Sequence, residues 1–299
     1  MWTILRFPRA RLSSAAALSL ASFAVLSGAA SASSVASCNK KEDAELTALS
    51  PREFRAFTVR KVETLSHNTK RITFDLPSDA HEMGITTASC LVAKANVNGK
   101  NVIRPYTPTN LNDEKGFLEL VVKGYPTGLL SKHITELQEG DKLEMKGPFV
   151  KFKYEPNTYK KIGMVAGGSG ITPMLQLVKQ ICRDPADKTE IVLLFGNQTE
   201  ADMILKDELD ALQYLYPQLT VHHVLSNPSE AWTGLKGHIT KEMVQELLPG
   251  PSDDHLICVC GPPPMMYHIS GDKAKDKTQG ELQGVLKDLQ YTSKQVFKF

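Results

Sequence analysis

Three short stretches carry residue types at spacings that could do chemistry. The first is VAGGSGITPMLQL (165–177), where Gly167, Gly168 and Gly170 lead into an apolar helical pattern. Glycine there permits φ > 0 and close approach of the backbone to a ligand. Thr172 followed by Pro173 reads as N-cap and first helical residue. The hydroxyl accepts from a free N–H, and proline lacks the N–H that would be orphaned. The remaining N–H groups and the helix dipole then face the turn and suit a phosphate. Pro173 stands where a GxGxxG fingerprint has its last glycine, so a tight turn that binds nothing is the competing reading.

The second stretch is CVCGPPPMM (258–266), which ends an apolar run at a glycine and three prolines. In an open α/β sheet, ligands sit outside the carboxyl ends of the strands. Two glycine turns at such ends would face one crevice, with Cys260 at a strand tip beside it. Cys260 is either a crevice group or a small buried hydrophobe, and Cys258 reads as the latter. Cys258 and Cys260 have no second ligand pair, and His222 and His223 alternate across a strand, so zinc is not expected. The third stretch, RPYTPTN (104–110), joins a guanidinium, an aromatic ring and a hydroxyl within four residues. Arginine can hold a phosphate with paired donors, and tyrosine can stack on a flat ring. An ordinary surface strand competes with that reading. Downstream, GLLS (128–131) opens a helix near Gly128, offering N–H groups and Ser131 to an anion.

Two kinds of periodicity must position these residues. From Phe54 to about Tyr154 the chain alternates in short β-branched runs, FRAFTVRKVETL, RITFDL, ASCLVAKANV and GFLELVVKG, broken by Pro, Gly and Asn98–Gly99. This predicts an antiparallel barrel, interrupted by one helix at 128–137. After Lys161 the runs IGMVA, EIVLLFG, TVHHVL and HLICVCG read as buried parallel strands. Helices are expected between them at 173–182, 201–213 and 240–248. The fold class is therefore two-domain: an antiparallel Greek-key β-barrel over 54–157, then an α/β doubly wound parallel sheet over 158–299. The polar segment 268–282 reads as a surface loop.

Of the 299 residues, 41% are hydrophobic and 23% charged, the balance of a globular protein. The net charge of +2 becomes −1 once Arg6, Arg9 and Arg11 are set aside, which gives no basis for nucleic-acid binding. Five cysteines are too few and odd in number for a disulfide framework. Residues 1–41 contain no acid and are rich in Arg, Ala and Ser, the composition of a transit peptide. The uncharged run from Leu12 to Ser37 would extend about 39 Å as a helix, enough to span a bilayer. A mitochondrial leader with a membrane anchor, a cleaved secretory signal ending at ASA (30–32), and a plain anchor in another membrane all fit. Residues 42–53 read as a linker.

In this order, RPYTPTN, GFLELVVKGY, GLLSKHI, GDKLEMKGPF, GGSGITPM, CGPPPM and the ending GVLKDLQYTSKQVFKF resemble the NADH–cytochrome b5 reductase family of the ferredoxin–NADP reductase superfamily, over roughly 54–299. The resemblance implies FAD on the barrel and NADH on the α/β domain. It assigns Arg104 to the FAD pyrophosphate, Tyr106 to the flavin flank and Thr107 to N5, with Pro105 also among the cofactor-binding residues. Val121, Lys123 and Tyr125 would line the cofactor groove, with Lys123 able to pair with NADH phosphates. Gly128, Leu130 and Ser131 would cradle phosphates at the helix N-terminus. Thr172 would reach the flavin edge. Gly168, Gly170, Cys260, Gly261, Pro262 and Met265 would form the nicotinamide site, with Thr107 and Cys260 as the catalytic residues, and Phe299 would pack near the flavin.

Leu129 stands where the family has a lysine. Ser226, after TVHHVL, stands where NADH-specific members carry aspartate, which leaves NADPH open as a donor. The implied reaction is hydride transfer to FAD, then single electrons to cytochrome b5 or a similar acidic haem protein. Lys94, Lys100, Lys132, Lys151 and Lys153 would supply a complementary rim. A quinone or a ferredoxin-like protein is the alternative acceptor, and a non-catalytic flavin-binding sensor the alternative class. The leader matches the mitochondrial, membrane-anchored branch (outer membrane or intermembrane space), with the endoplasmic reticulum as the alternative.

Overall fold

The structure is a computed structural model that describes residues 46–299; the expectations for the leader lie outside the described residues. Six strands come first: β1 (Arg55–Ser66), β2 (Thr69–Asp75), β3 (Ser89–Val97), β4 (Lys100–Tyr106), β5 (Phe117–Lys123) and β6 (Lys142–Val150), with helix α1 (Leu129–Glu136) before β6. Their order is β4-β3-β6-β1-β2-β5, and all pairings are antiparallel. Alternation gives each strand one buried face, so Ile72, Phe74, Leu118, Leu120, Leu143 and Met145 fill a common core. Helix α1 adds Leu130 and Ile134 to it. Asn98 and Gly99 turn β3 into β4 with φ of 53° and 77°, the positive-φ hairpin that Asn–Gly favours.

Edge strands β4 and β5 are joined by the chain just past β4. The Thr109 N–H donates to the Glu119 carbonyl at 3.0 Å. The Asn110 carboxamide accepts from the Glu119 N–H at 2.9 Å and donates to the Phe117 carbonyl at 3.1 Å. Its amide does for β5 what a neighbouring peptide group would do. The end of the expected linker is also part of this core. Ala48 and Leu49 are buried, and their N–H groups bond the Glu82 and Met83 carbonyls. The polar residues around them masked that short apolar pair.

The second sheet is parallel throughout: β7 (Lys161–Gly167), β8 (Glu190–Asn197), β9 (Leu219–Leu225), β10 (Leu235–Lys236), β11 (His255–Cys260) and β12 (Val296–Lys298), ordered β10-β9-β8-β7-β11-β12. Helices α2 (Ile171–Arg183) and α3 (Lys206–Leu215) contribute to the apolar cluster on one face. Helices α4 (Lys241–Leu247), α5 (Pro263–Ser270) and α6 (Gly284–Asp288) contribute to that on the other. Burial on both faces explains the near-continuous apolar runs. The strand order reverses between β7 and β11, which makes their carboxyl ends the switch point of the sheet.

Two expectations are corrected. The helix expected at 201–213 is a short 3-10 turn, Glu200–Asp202, followed by α3; Leu205 between them has φ of 59° and breaks the helix. The segment 268–282 is a loop only from Gly271 onward, with 275–278 exposed. It begins inside α5, and its backbone fastens Lys298, whose ammonium donates to the Asp272 and Glu281 carbonyls at 3.1 and 2.8 Å. Lys298 is only 2% exposed.

The two sheets belong to one compact unit, and a polar stripe on α2 forms much of the seam. The buried Gln176 accepts from the Ala88 N–H at 2.7 Å and donates to the Pro108 carbonyl at 3.3 Å. One turn on, the Lys179 ammonium meets the Thr109 carbonyl at 2.8 Å and Glu208 at 2.6 Å. Arg71 of β2 reaches the same Glu208 at 3.1 Å, and Arg183 pairs with Asp113. The spacing 176, 179, 183 is one helix face.

Candidate functional site

The two glycine turns lie against each other. Ala166 and Cys260 are register partners at the ends of β7 and β11. A Cβ at Gly170 would overlap the Cys260 carbonyl oxygen and lie 2.6 Å from its carbon. One at Gly167 would lie 2.8 Å from both the Met265 sulfur and Pro262, and one at Gly261 would strike Met265. These glycines are spaces into which the opposite turn fits. Gly168 differs: its φ is +50° and no atom lies within 4 Å of its missing Cβ, so its backbone faces open space.

Thr172 is not the N-cap. Residues Gly168–Gly170 form a 3-10 turn that runs directly into α2, so the helix starts at Ile171 with Gly170 as N-cap. The Thr172 hydroxyl, 8% exposed, donates back to the Ser169 carbonyl at 3.3 Å. The Thr–Pro pair looked like a start because proline is tolerated anywhere in the first turn, where N–H groups lack intrahelical partners.

From the barrel, β4 delivers the exposed Arg104 and Pro105 and the half-buried Tyr106, and Thr107 follows where the strand stops. Among the described residues the Arg104 guanidinium donates only to its neighbour's carbonyl, at Ile103. Burial pushes the Tyr106 hydroxyl up to about 12, so the ring is a neutral phenol. On β5, Val121 packs into the apolar cluster of the second sheet. Tyr125 crosses the seam: its hydroxyl lies 3.2 Å from the Ser169 hydroxyl in the first glycine turn. Helix α1 starts at Leu129 with Gly128 as N-cap and no side-chain cap, and the Ser131 hydroxyl turns back to the Gly128 carbonyl at 3.1 Å. Leu130 is buried, so only its backbone is available to a ligand.

Lys123 is placed differently from the expectation. Its ammonium pairs with Asp202 of the second half at 3.1 Å, with the two side chains 15% and 5% exposed. Asp202 also accepts from the Thr199 hydroxyl at 2.9 Å. Burial opposes the Asp202 charge, but the Thr199 and Lys123 bonds outweigh it and hold the carboxyl below its usual range. A depressed folded value means that this group stabilises the fold above the unfolded value of about 3.9 and loses that effect as pH falls further. Asp202→Asn should therefore lower stability by about 3 kcal/mol at pH 7 and by clearly less at pH 3. Urea unfolding at both pH values checks this, and an equal loss at both would sink it.

Burial pushes the Cys260 thiol up to about 12, against a smaller opposing effect from Lys273. At pH 8 only about one thiol in ten thousand would be ionised, against roughly a quarter for a free cysteine. Alkylation of Cys260 by iodoacetamide, followed by peptide mass mapping, should be at least about a hundredfold slower in native than in unfolded protein. Equal rates would show a thiol as accessible and ionisable as a free cysteine, and sink this reading.

Phe299 stacks edge-on against Phe297 at 5.0 Å, and its N–H bonds the Val259 carbonyl. Both rings join the cluster containing Cys260 and Phe152. Ser226 ends β9, two strands from the switch point, with its N–H on the Asn197 carbonyl. Of the five expected rim lysines, three already face acids: Lys94 with Glu144, Lys132 with Glu136, and Lys153 with Glu155. Ser169, Gln176 and Asp202 shape the seam without a sequence signal, because their partners lie far along the chain. Two features fit a flavin nucleotide here: an exposed guanidinium beside a neutral tyrosine, and an uncapped helix start.

The profile described as "Oxidoreductase FAD-binding domain" matches residues 56–154, and "Oxidoreductase NAD-binding domain" matches 164–271. The chain is 48% identical over 266 residues to the NADH-cytochrome b5 reductase-like protein of Arabidopsis thaliana, covering 87% of this chain and 81% of that one. It is 48% identical over 242 residues to NADH-cytochrome b5 reductase 2 of Emericella nidulans, covering 80% and 75%. The cytochrome b5 reductase domain of Ulva prolifera nitrate reductase superposes with a TM-score of 0.75 at 30% identity, over 85% of this chain and all of that one.

Proposed function

Because the chain belongs to the NADH–cytochrome b5 reductase family, we propose that it oxidises NADH through FAD and passes single electrons to cytochrome b5 or a similar acidic haem protein. The observation that carries this reading is the contact between the glycine turns at the switch point, with Tyr125 of the barrel touching the first of them. When bound, the flavin supplies the hydride-accepting and one-electron chemistry.

The chain's own residues bind and orient. Arg104 and the N–H groups at Gly128–Ser131 would hold the pyrophosphate, Pro105 and Tyr106 the flavin flank, and Thr107 would donate to N5. Thr172 and Phe299 would bound the ring from the second half. Gly168 would admit the nicotinamide, with Gly170, Cys260, Gly261, Pro262 and Met265 forming its wall. Burial favours the neutral thiol of Cys260, which would face the nicotinamide as part of that wall. The two rim lysines without an acid partner among the described residues, Lys100 and Lys151, would steer an acidic partner and act mainly on the on-rate.

The leader at 1–41 would carry the protein to a mitochondrial membrane, a reading that rests on its acid-free, arginine-bearing composition. Cell fractionation of the full chain tests it. Among the described residues no helix is long and apolar enough to cross a membrane.

The test of function is the visible spectrum of the purified protein, followed by anaerobic NADH. Yellow flavin bands that bleach within seconds, and reoxidation by cytochrome b5 faster than by a quinone or a ferredoxin, are expected. Protein that takes up no FAD, or flavin that NADH leaves oxidised, would overturn the reading.

A further inference from the structure

The end of the third strand, β9, offers a nucleotide no charge: Ser226 is a hydroxyl and Asn227 an amide. The end of the second strand does. The loops after β8 and β9 are zipped together, with the Ser226 N–H on the Asn197 carbonyl at 3.1 Å and the Asn227 N–H on the Gln198 carbonyl at 2.7 Å. Glu200, three residues past β8, reaches across this pair. Its carboxylate accepts from the Ser229 hydroxyl at 2.6 Å and from the Ser229 N–H at 3.0 Å. The second oxygen lies 3.3 Å from the same N–H. A carboxylate has about four acceptor positions, so lone pairs remain free on an exposed group whose direction is already fixed. The Ser229 hydroxyl bond comes first among the contacts that hold this carboxyl below its usual range, and it is charged at neutral pH. Nearby, the buried Asn197 carboxamide has no hydrogen-bond partner among the described residues.

In doubly wound sheets an acidic residue beyond the glycine turn accepts from the adenosine ribose 2′-hydroxyl, and a 2′-phosphate in its place is repelled. Glu200 follows the second strand, β8, next to the β7–α2 turn strand in the sheet. We propose that Glu200, oriented by Ser229, is the residue that sets the nucleotide preference of this chain. It accepts from the ribose 2′-hydroxyl of NADH and disfavours the 2′-phosphate of NADPH, whereas the uncharged Ser226 can accept a hydrogen bond but repels no phosphate. The proposal rests on the nucleotide site of the preceding reading and adds the residue that makes it selective.

Binding of 5′-ADP and 2′,5′-ADP to the full-length holoprotein, measured by calorimetry at low salt, tests it without turnover. Wild type should favour 5′-ADP. Glu200→Gln should shift the ratio of the two dissociation constants toward 2′,5′-ADP by about fivefold, the upper range for an exposed charge. Ser229→Ala should shift it the same way by less. Glu246→Gln on α4 removes an exposed acid elsewhere and should leave the ratio unchanged. The proposal is overturned if wild type and Glu200→Gln bind both nucleotides in the same ratio, or if Glu246→Gln moves the ratio equally. Wild type that binds neither nucleotide overturns the site reading itself, a result distinct from either of those.

Discussion

Gly170→Ala should destabilise the protein by about 2–3 kcal/mol and weaken nucleotide binding at least about tenfold. The backbone at Gly170 has φ of −64° and ψ of −6°, which any residue adopts, so the effect is steric. The added methyl would overlap the Cys260 carbonyl oxygen and sit 2.9 Å from the Gly261 nitrogen. Those are backbone atoms of the second turn, and they can yield only if the turns part. Gly168→Ala isolates the opposite effect. It meets no atom within 4 Å but holds φ at +50°, so left-handed strain alone should amount to about 1 kcal/mol. Urea unfolding of both variants gives the order. A larger loss at Gly168 would mean that the turns do not touch.

Gln176→Leu should cost about 3–4 kcal/mol, because it leaves two buried groups of the barrel, the Ala88 N–H and the Pro108 carbonyl, without partners. The side chain is 1% exposed, so water cannot substitute. Gln176→Glu sharpens the test. A carboxylate there would face the Pro108 carbonyl, so its folded pKa would rise and the proton-bound form would be favoured. Stability lost at pH 7 should then partly return by pH 5. Denaturation of the three proteins at both pH values checks this. A Gln176→Leu variant as stable as wild type would place the seam's strength elsewhere.

What the sequence disclosed follows the range of the forces involved. The strands were legible because alternation and apolar runs are local consequences of burial on one face or two. The glycine turns were legible because each follows an apolar run. That they interlock was not, since Gly170 and Cys260 lie far apart in the chain. The Thr172 cap failed because a 3-10 turn continued the helix backwards through glycines, which carry no sign of it. Lys123 looked like a ligand for phosphate because its partner, Asp202, comes from the other half. Nothing in the sequence marks Lys298 as buried, because β12 is too short to show a period. Its ammonium is satisfied by two backbone carbonyls, which have no sequence signature at all.

The stripe on α2 also governs how the two halves respond to temperature. Val121, Leu65, Phe152 and Tyr154 bring apolar surface to the seam, and its other contacts are polar, joining amides, ammonium, guanidinium and hydroxyl groups to carbonyls, carboxylates and a hydroxyl. Exposing polar surface changes heat capacity little, and with a sign opposite to that of apolar surface. The polar and apolar parts of the seam therefore offset each other in part, and separating the halves should change heat capacity less per unit area than opening either core. Their mutual orientation should then depend less steeply on temperature than the stability of either core.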